Sequence, residues 1–195
     1  AKDVYDEHHN NTTGFRGIVP TTFKSNGSLT LLDESKLRVQ VALNADGWVV
    51  NQNTSRCAVR VKKPRKVERM RKLLKDANMD FNEIQLSESR VEFHFTSPTG
   101  YKGITPEWFN LTQEQLIVIS DEVQYWDCDI NSGRFTSINK LEADFIQFVY
   151  SATGNRSVIS VVEAGENLLP MNNGSGESKM YKTQQQYRVS KSLNK

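Results

Sequence analysis

Leu37-Arg38-Val39-Gln40-Val41-Ala42-Leu43-Asn44-Ala45-Asp46-Gly47 is an apolar run closed by an acid and a glycine. A second stretch, Leu116-Ile117-Val118-Ile119-Ser120-Asp121-Glu122-Val123-Gln124-Tyr125-Trp126-Asp127-Cys128, sets an aspartate at nearly the same place, 81 residues after the first. Self-similarity of this kind governs the architecture and is read before any local pattern. It predicts two helices that carry Asp46 and Asp127 toward one place. Converging carboxylates can hold a divalent metal, and a metal so held can hydrolyse a phosphodiester.

Both runs have a helix start. Asp33 can accept bonds from the orphan N–H groups of the first turn, and Leu32 with Leu37 can staple it. Thr112-Gln113-Glu114-Gln115 has the form of a capping box, with Leu111 and Leu116 as its staple. Leu37, Val41 and Asn44 share one stripe, widened by Val39, Ala42 and Leu43, and Gly47 offers a helix end. From cap to aspartate there are 13 residues in the first copy and 15 in the second, a mismatch of about half a helical turn.

Beyond each aspartate the pattern changes to period two. Arg56, Ala58, Arg60 and Lys62 alternate with Cys57, Val59 and Val61; Arg134 and Thr136 alternate with Phe135 and Ser137. A further helix follows in each copy. Pro64 suits a first turn, with Val67, Met70, Leu73, Leu74 and Ala77 as the buried stripe. The counterpart begins near Leu141, with Phe145, Phe148, Val149 and Ala152 facing inward and Gly154 near its end. More strand closes each copy. Arg90, Glu92 and His94 alternate with Val91, Phe93 and Phe95, and Lys182, Gln184, Gln186 and Arg188 alternate with Tyr181, Thr183, Gln185, Tyr187 and Val189. Ala164 to Ser178 reads as a long flexible hairpin connection. The result is an α+β chain of two pseudo-symmetric αββαββ-type repeats, 31–100 and 101–195, after a lead-in segment, 1–30. Helices would cover one sheet face and leave the other open.

Composition bounds the function. The chain has 195 residues, 25% of them charged, and no apolar run approaches a membrane span. No signal peptide is visible at Ala1-Lys2-Asp3-Val4-Tyr5-Asp6, so a cytoplasmic, nucleic-acid-associated location is expected. Cys57 and Cys128 read as buried free thiols of a reducing compartment, and His8, His9 and His94 lack zinc spacing. Charge is uneven: residues 56–75 hold ten Lys/Arg against Glu68, whereas Lys102 to Arg134 encloses six acids and no cation. A basic block of that density can be a nucleic-acid footprint or a solvated helix face.

Alternation also supplies a DNA-reading grammar, because a ribbon in the major groove offers every second side chain to base edges. Arg56, Arg60, Lys62, Arg134, Thr136, Lys182, Gln184, Gln186 and Arg188 fit it. Lys63 and Arg65, with Lys66, Arg69, Arg71 and Lys72, are candidates for phosphate contact. Trp48, Trp108 and Trp126 read as packing anchors. Taken alone, Asp46-Gly47 is an ordinary turn signal; its pairing with Asp127 gives it weight.

On these residues the chain resembles a LAGLIDADG homing endonuclease. Val41-Ala42-Leu43-Asn44-Ala45-Asp46-Gly47 is similar to the end of that family's helix motif, and Tyr125-Trp126-Asp127-Cys128 is a second match with cysteine in place of glycine. Ala1 to His8 and Gly14 to Phe23 resemble the junction between the splicing and endonuclease parts of an intein. The resemblance implies a monomer with an internal pseudo-twofold, two motif helices packed at its centre, and two sheets forming a saddle over double-stranded DNA. It implies Mg²⁺ (or Mn²⁺) held by Asp46 and Asp127, with a lysine steadying charge, for which Lys182 and then Lys62 are the candidates. Splicing residues are lacking at Ala1 and at Ser192-Leu193-Asn194-Lys195, so an endonuclease domain with any splicing halves outside it is expected. Rival readings are a DNA-binding module that no longer cuts, a structural insertion without DNA affinity, and a role in RNA splicing.

Overall fold

The computed structural model describes residues 22–129, 132–170 and 178–192. Helix α1 (Glu34–Asp46) starts where Asp33 accepts a bond from the Lys36 N–H at 3.0 Å. Its buried residues are Leu37, Val39, Gln40, Val41, Ala42 and Leu43, more than a single stripe. Both the sequence pattern and the packing explain this. α1 lies against three neighbours: α2 (Pro64–Asp76), α3 (Gln113–Glu122) and the first sheet. A helix enclosed on several sides needs apolar residues nearly all round. Buried Gln40 is tolerated because its amide donates to Asn44 Oδ1 and to the Tyr101 carbonyl, both at 3.0 Å.

The first sheet has strand order β1-β2-β4-β3, formed by β1 (Gly47–Asn51), β2 (Arg56–Val61), β3 (Phe81–Ser87) and β4 (Arg90–Thr96), all antiparallel. Cys57, Val59, Val61, Val91, Phe93 and Phe95 are buried, as their alternation predicts. β3 escapes the sequence pattern because it is an edge strand whose residues, apart from half-buried Phe81, are exposed. Glu92 departs from the alternation: it belongs to the polar set yet is buried. α2 begins with Pro64 in its first turn and buries Met70, Leu73 and Leu74.

The second half repeats the plan with differences. Thr112 caps α3 through the Gln115 N–H. The other half of the expected capping box is absent, because the Gln115 side chain is used elsewhere. Its Oε1 accepts from the Leu31 N–H at 3.0 Å and its Nε2 donates to the Leu32 carbonyl at 2.7 Å, tying down the approach to α1. After α3, a 3₁₀ turn (Val123–Tyr125) leads to Trp126 and Asp127. β5 (Phe135–Ser137), α4 (Lys140–Ala152), β6 (Arg156–Val162) and β9 (Gln186–Ser192) follow, with sheet order β5-β9-β6.

Two expectations for this half are corrected. Residues 164–178 are not all connection: β7 (Gly165–Pro170) pairs with β8 (Ser178–Thr183) as a separate two-stranded ribbon. Tyr181 to Val189 is not one strand either, since the chain breaks at Gln184 and Gln185 between β8 and β9. Perfect alternation ran through the break because both flanking residues are polar.

The stretch Thr22–Leu32 runs along the second half. The Phe23 N–H donates to the Ser151 carbonyl, Leu29 pairs with Leu111 as a parallel bridge, and Phe23 meets Phe148 with ring centroids 5.3 Å apart. The expected arm from Gly17 lies outside the described residues up to Thr21. Trp108, Phe109, Phe145 and Phe148 complete an aromatic cluster in one continuous core shared by both halves.

Candidate acidic site and nucleic-acid face

Asp46 is the last residue of α1. Gly47 follows without entering the left-handed region, at φ −103°, so the expected reason for glycine is replaced by another. A Cβ there would sit 2.6 Å from Leu43 Cδ1, 2.7 Å from the Leu43 carbonyl oxygen and 2.9 Å from that of Ala58. Glycine lets the chain turn from helix directly into β1 against the neighbouring strand.

Asp127 is reached differently. α3 ends at Glu122, and the 3₁₀ turn and Trp126, which leaves helical geometry at φ −110°, ψ −81°, lead on to Asp127. Cys128 then has room for a side chain: it is buried, bridges Phe135, and lies with its Sγ 3.4 Å from the Tyr150 hydroxyl.

The two acids act on each other. The Asp127 carboxyl is pushed up to about 6, first by burial, then by the negative field of Asp46 and, more weakly, Glu142; Lys66 and Lys102 oppose the shift. Asp127 and Glu142 line a small cavity of about 30 Å³ with Val41, Ala45, Ile119, Phe145 and Ile146. That is room for about one water. Lys66, on α2, forms an ion pair with Asp46 and lies 5.5 Å from the centroid of the Trp126 ring. Lys102 donates to the Gly47 carbonyl. Glu142 accepts from Ser137 Oγ at 2.7 Å.

Glu122 stands behind this group as a fully buried carboxylate. It pairs with Arg38 of α1 at 3.1 Å and with Arg69 of α2, and accepts from Trp126 Nε1 at 2.9 Å. Burying a carboxylate is affordable only with such a set of partners. The sequence pattern does not single out Lys102, Glu122 or Glu142, and it offers Lys66 only as a phosphate contact. One signal was present. The segment between Lys102 and Arg134 has six acids and no cation, so its buried acids must be balanced by cations from outside it.

The remaining candidates fall into three places. Arg56, Arg60 and Lys62 are exposed along β2 and just beyond it, with Arg56 opposite Thr96 and Arg60 opposite Glu92 on β4. Thr136, Arg188 and Ser160 are neighbours across β5, β9 and β6, and Gln186 lies opposite Val162. Arg134 precedes β5 and is half-buried, and Gln184 is exposed between β8 and β9. Lys182 belongs to the β7–β8 ribbon, where it is 88% exposed and 3.4 Å from Glu166. The structure does not join Lys182 to the acid pair, where Lys66 and Lys102 are the acting cations. Lys62 is likewise not among the groups acting there.

Most of the α2 cations are engaged internally rather than held ready for phosphate. Arg65 donates to the Tyr125 carbonyl at 2.9 Å, Arg71 pairs with Glu83, and Lys72 pairs with Asp76. Lys63 is exposed at the start of the helix. Of the tryptophans, Trp108 and Trp126 are buried as expected, but Trp48 is half-buried beneath Arg60. Both cysteines are buried free thiols, and burial pushes that of Cys57 up to about 12.

Two carboxylates with opposing fields suit a hard cation that completes its shell with water and phosphate oxygens. Among the described residues no cluster of three or more His, Cys, Asp or Glu forms a closed metal cage. No helix among them is long and apolar enough to cross a membrane.

No protein-family model matches the chain, and no curated protein sequence does. Solved structures do match. I-DmoI in complex with DNA and Ca has a TM-score of 0.51 at 14% identity, over 82% of this chain and 83% of that one. I-DmoI with DNA and Mn has a TM-score of 0.50 at 14% identity, over 82% and 90%. Full-length DUF199/WhiA from Thermatoga maritima has a TM-score of 0.50 at 7% identity, over 87% of this chain and 58% of that one. I-DmoI is described as a homing endonuclease, and the N-terminal domain of WhiA as a LAGLIDADG domain. The fold of this chain is therefore mixed α+β of the LAGLIDADG homing-endonuclease-like kind, four α-helices and antiparallel sheets among the described residues.

Proposed function

We propose that the chain is a site-specific double-strand DNA endonuclease that hydrolyses phosphodiesters at Asp46 and Asp127. One observation carries this reading: two carboxylates far apart in sequence, Asp46 at a helix end and Asp127 just past a 3₁₀ turn, lie within each other's field beside Lys66 and Lys102. Mg²⁺ or Mn²⁺ held there supplies an activated water and stabilises the leaving oxygen. Asp46 and Asp127 hold and orient that ion. Lys66 and Lys102, rather than Lys182, steady charge developing on the phosphate. The open strand faces bearing Arg56, Arg60 and Lys62, and Thr136, Gln186 and Arg188, receive the duplex as a saddle; Lys63, Gln184 and the ribbon Lys182 extend the contact. The chain acts as a monomer made of repeats 31–100 and 101–195, in an intracellular, intein-associated setting. That association rests on the likeness of the lead-in segment.

The test is incubation with a randomised duplex library and Mg²⁺, followed by sequencing of cut ends. Wild-type protein is expected to cut both strands at one long site, and Asp46→Asn to bind that site without cutting it. A second reading, a DNA-binding module without nuclease activity, is favoured by the Lys66 ammonium, which already pairs with Asp46 where a metal would sit. Retained duplex affinity with no nicking in Mg²⁺ or Mn²⁺ decides for it. Affinity with no preference for any duplex and a flat salt response overturns both.

A further inference from the structure

The open face of the first sheet carries a side-chain assembly that the acid pair does not use. Arg60 on β2 and Glu92 on β4 are cross-strand partners, on the face opposite Val59 and Phe93. Arg60 Nε and Nη2 both reach Glu92 Oε2, at 2.7 and 2.6 Å. The other oxygen, Oε1, lies 2.6 Å from His94 Nε2. Below the guanidinium is Trp48, with its ring centroid 5.3 Å from Arg60 Cζ. Small, fully buried Ala58 sits between Trp48 and His94 in the register and leaves space for both. Glu92 is 7% exposed, whereas the Arg60 side chain is 48% exposed. Burial pushes the Glu92 carboxyl up, but Arg60 and His94 outweigh it and hold the group below the ordinary carboxylate range.

We propose that Arg60 is a pre-set guanine reader, clamped on one edge by Glu92, whose other oxygen meets His94, and seated on Trp48. This rests on the DNA reading above and names one base within it. A guanidinium has three donor-bearing nitrogens in one plane. With the Nε–Nη2 edge taken by Glu92, the Nη1–Nη2 edge stays open as a two-pronged donor. In the major groove that fork matches O6 and N7 of guanine. Phosphate is the poorer ligand, because the clamping carboxylate repels it while a neutral base edge is not repelled. Fixing Arg60 before binding also removes rotamer entropy that a free arginine loses on contact. Arg188 in the second sheet faces Thr136 and Ser160 across the strands, with no carboxylate opposite it. The two halves of the target site are thus read with unequal stringency.

The experiment is selection of bound duplexes from a randomised library without divalent metal, so that cutting cannot deplete the bound pool. Wild type, Arg60→Lys and Glu92→Gln are compared after each is shown to unfold cooperatively. Wild type is expected to select guanine at one position of one half-site by about tenfold over other bases. Arg60→Lys loses selection at that position and keeps it elsewhere. Glu92→Gln weakens it to a few-fold while binding random duplex at least as tightly as wild type. Unchanged guanine selection in Arg60→Lys overturns the proposal and leaves the DNA reading standing. A wild-type protein that binds no duplex overturns both.

Discussion

Asp46 and Asp127 come within each other's field by different routes. α1 runs unbroken to Asp46 and turns at Gly47 straight into β1. α3 stops at Glu122, and a 3₁₀ turn and Trp126 complete the path to Asp127. The first end depends on close backbone approach and the second on a buried polar anchor. The local chemistry that secures each carboxylate differs between the halves. Asp46 consequently has a lysine partner, whereas Asp127 faces a small apolar cavity that also holds Glu142.

The largest test of this contrast is at Glu122. Its carboxylate joins Arg38 and Arg69 from the first half to Trp126 in the second. Removing one member of a buried ion network leaves the others uncompensated, at a cost of about 3–5 kcal/mol. Glu122→Ala is expected to lose that amount in urea unfolding. Glu34→Ala, which breaks only the exposed partner of Arg38, is expected to lose under about 1 kcal/mol. Equal losses in the two variants would mean that Glu122 anchors nothing.

The next effect is pH-dependent and has a definite sign. The folded state holds the Asp127 proton more tightly than the unfolded chain, about 6 against an ordinary 3.8. Below about pH 3 both states are protonated and no penalty arises. As pH rises toward 6 the unfolded chain ionises first and stability falls, by about 3 kcal/mol once pH exceeds 6. Asp127→Asn should therefore be more stable than wild type by up to that amount at pH 7.5 and nearly equal to it at pH 3. Asp46→Asn lacks this gain, because Lys66 loses its carboxylate partner. Urea unfolding across that pH range checks the pattern, and a stability difference for Asp127→Asn that does not change with pH would remove the claimed burial.

What could be read from sequence followed the strength of local pattern. Caps at Asp33 and Thr112, the apolar stripe of α2 and the buried positions of β2 and β4 are set by residues near one another in the chain, and they appear as expected. Asp46 at a helix end followed by strand is likewise a local event and appears as the pattern predicts, whereas Asp127 follows a 3₁₀ turn that the pattern does not show. The misses are tertiary. β3 has no buried face to leave a period, and the break between β8 and β9 lies among glutamines that suit strand or turn alike. Lys66 and Arg69 looked like part of a solvated or phosphate-binding helix face, but partners far along the chain, Asp46 and Glu122, claim them. Charge on a helix does not reveal which acid folds against it. Gln115 likewise had a capping role in sequence and a bridging role to Leu31 and Leu32 in space.

The smallest effects separate Gly47 from Cys128, the residues that follow the two acids. At Gly47 an added methyl meets one side-chain atom and two backbone oxygens, all within 2.9 Å. The oxygens belong to a helix end and a strand and cannot swing aside, so Gly47→Ala should cost about 1–3 kcal/mol. At Cys128 the reverse change, Cys128→Ala, deletes one buried sulfur and its contact with the Tyr150 hydroxyl, a loss of about 1 kcal/mol. If the halves were equivalent at this position, a Cβ would be tolerated at both or at neither. Because Asp46 directly precedes Gly47, Gly47→Ala should also displace its carboxylate and, on the proposed nuclease reading, lower double-strand cleavage more than Cys128→Ala does at equal protein concentration. Equal stability and equal cleavage for the two variants would show that the helix-to-strand turn after Asp46 needs no close approach.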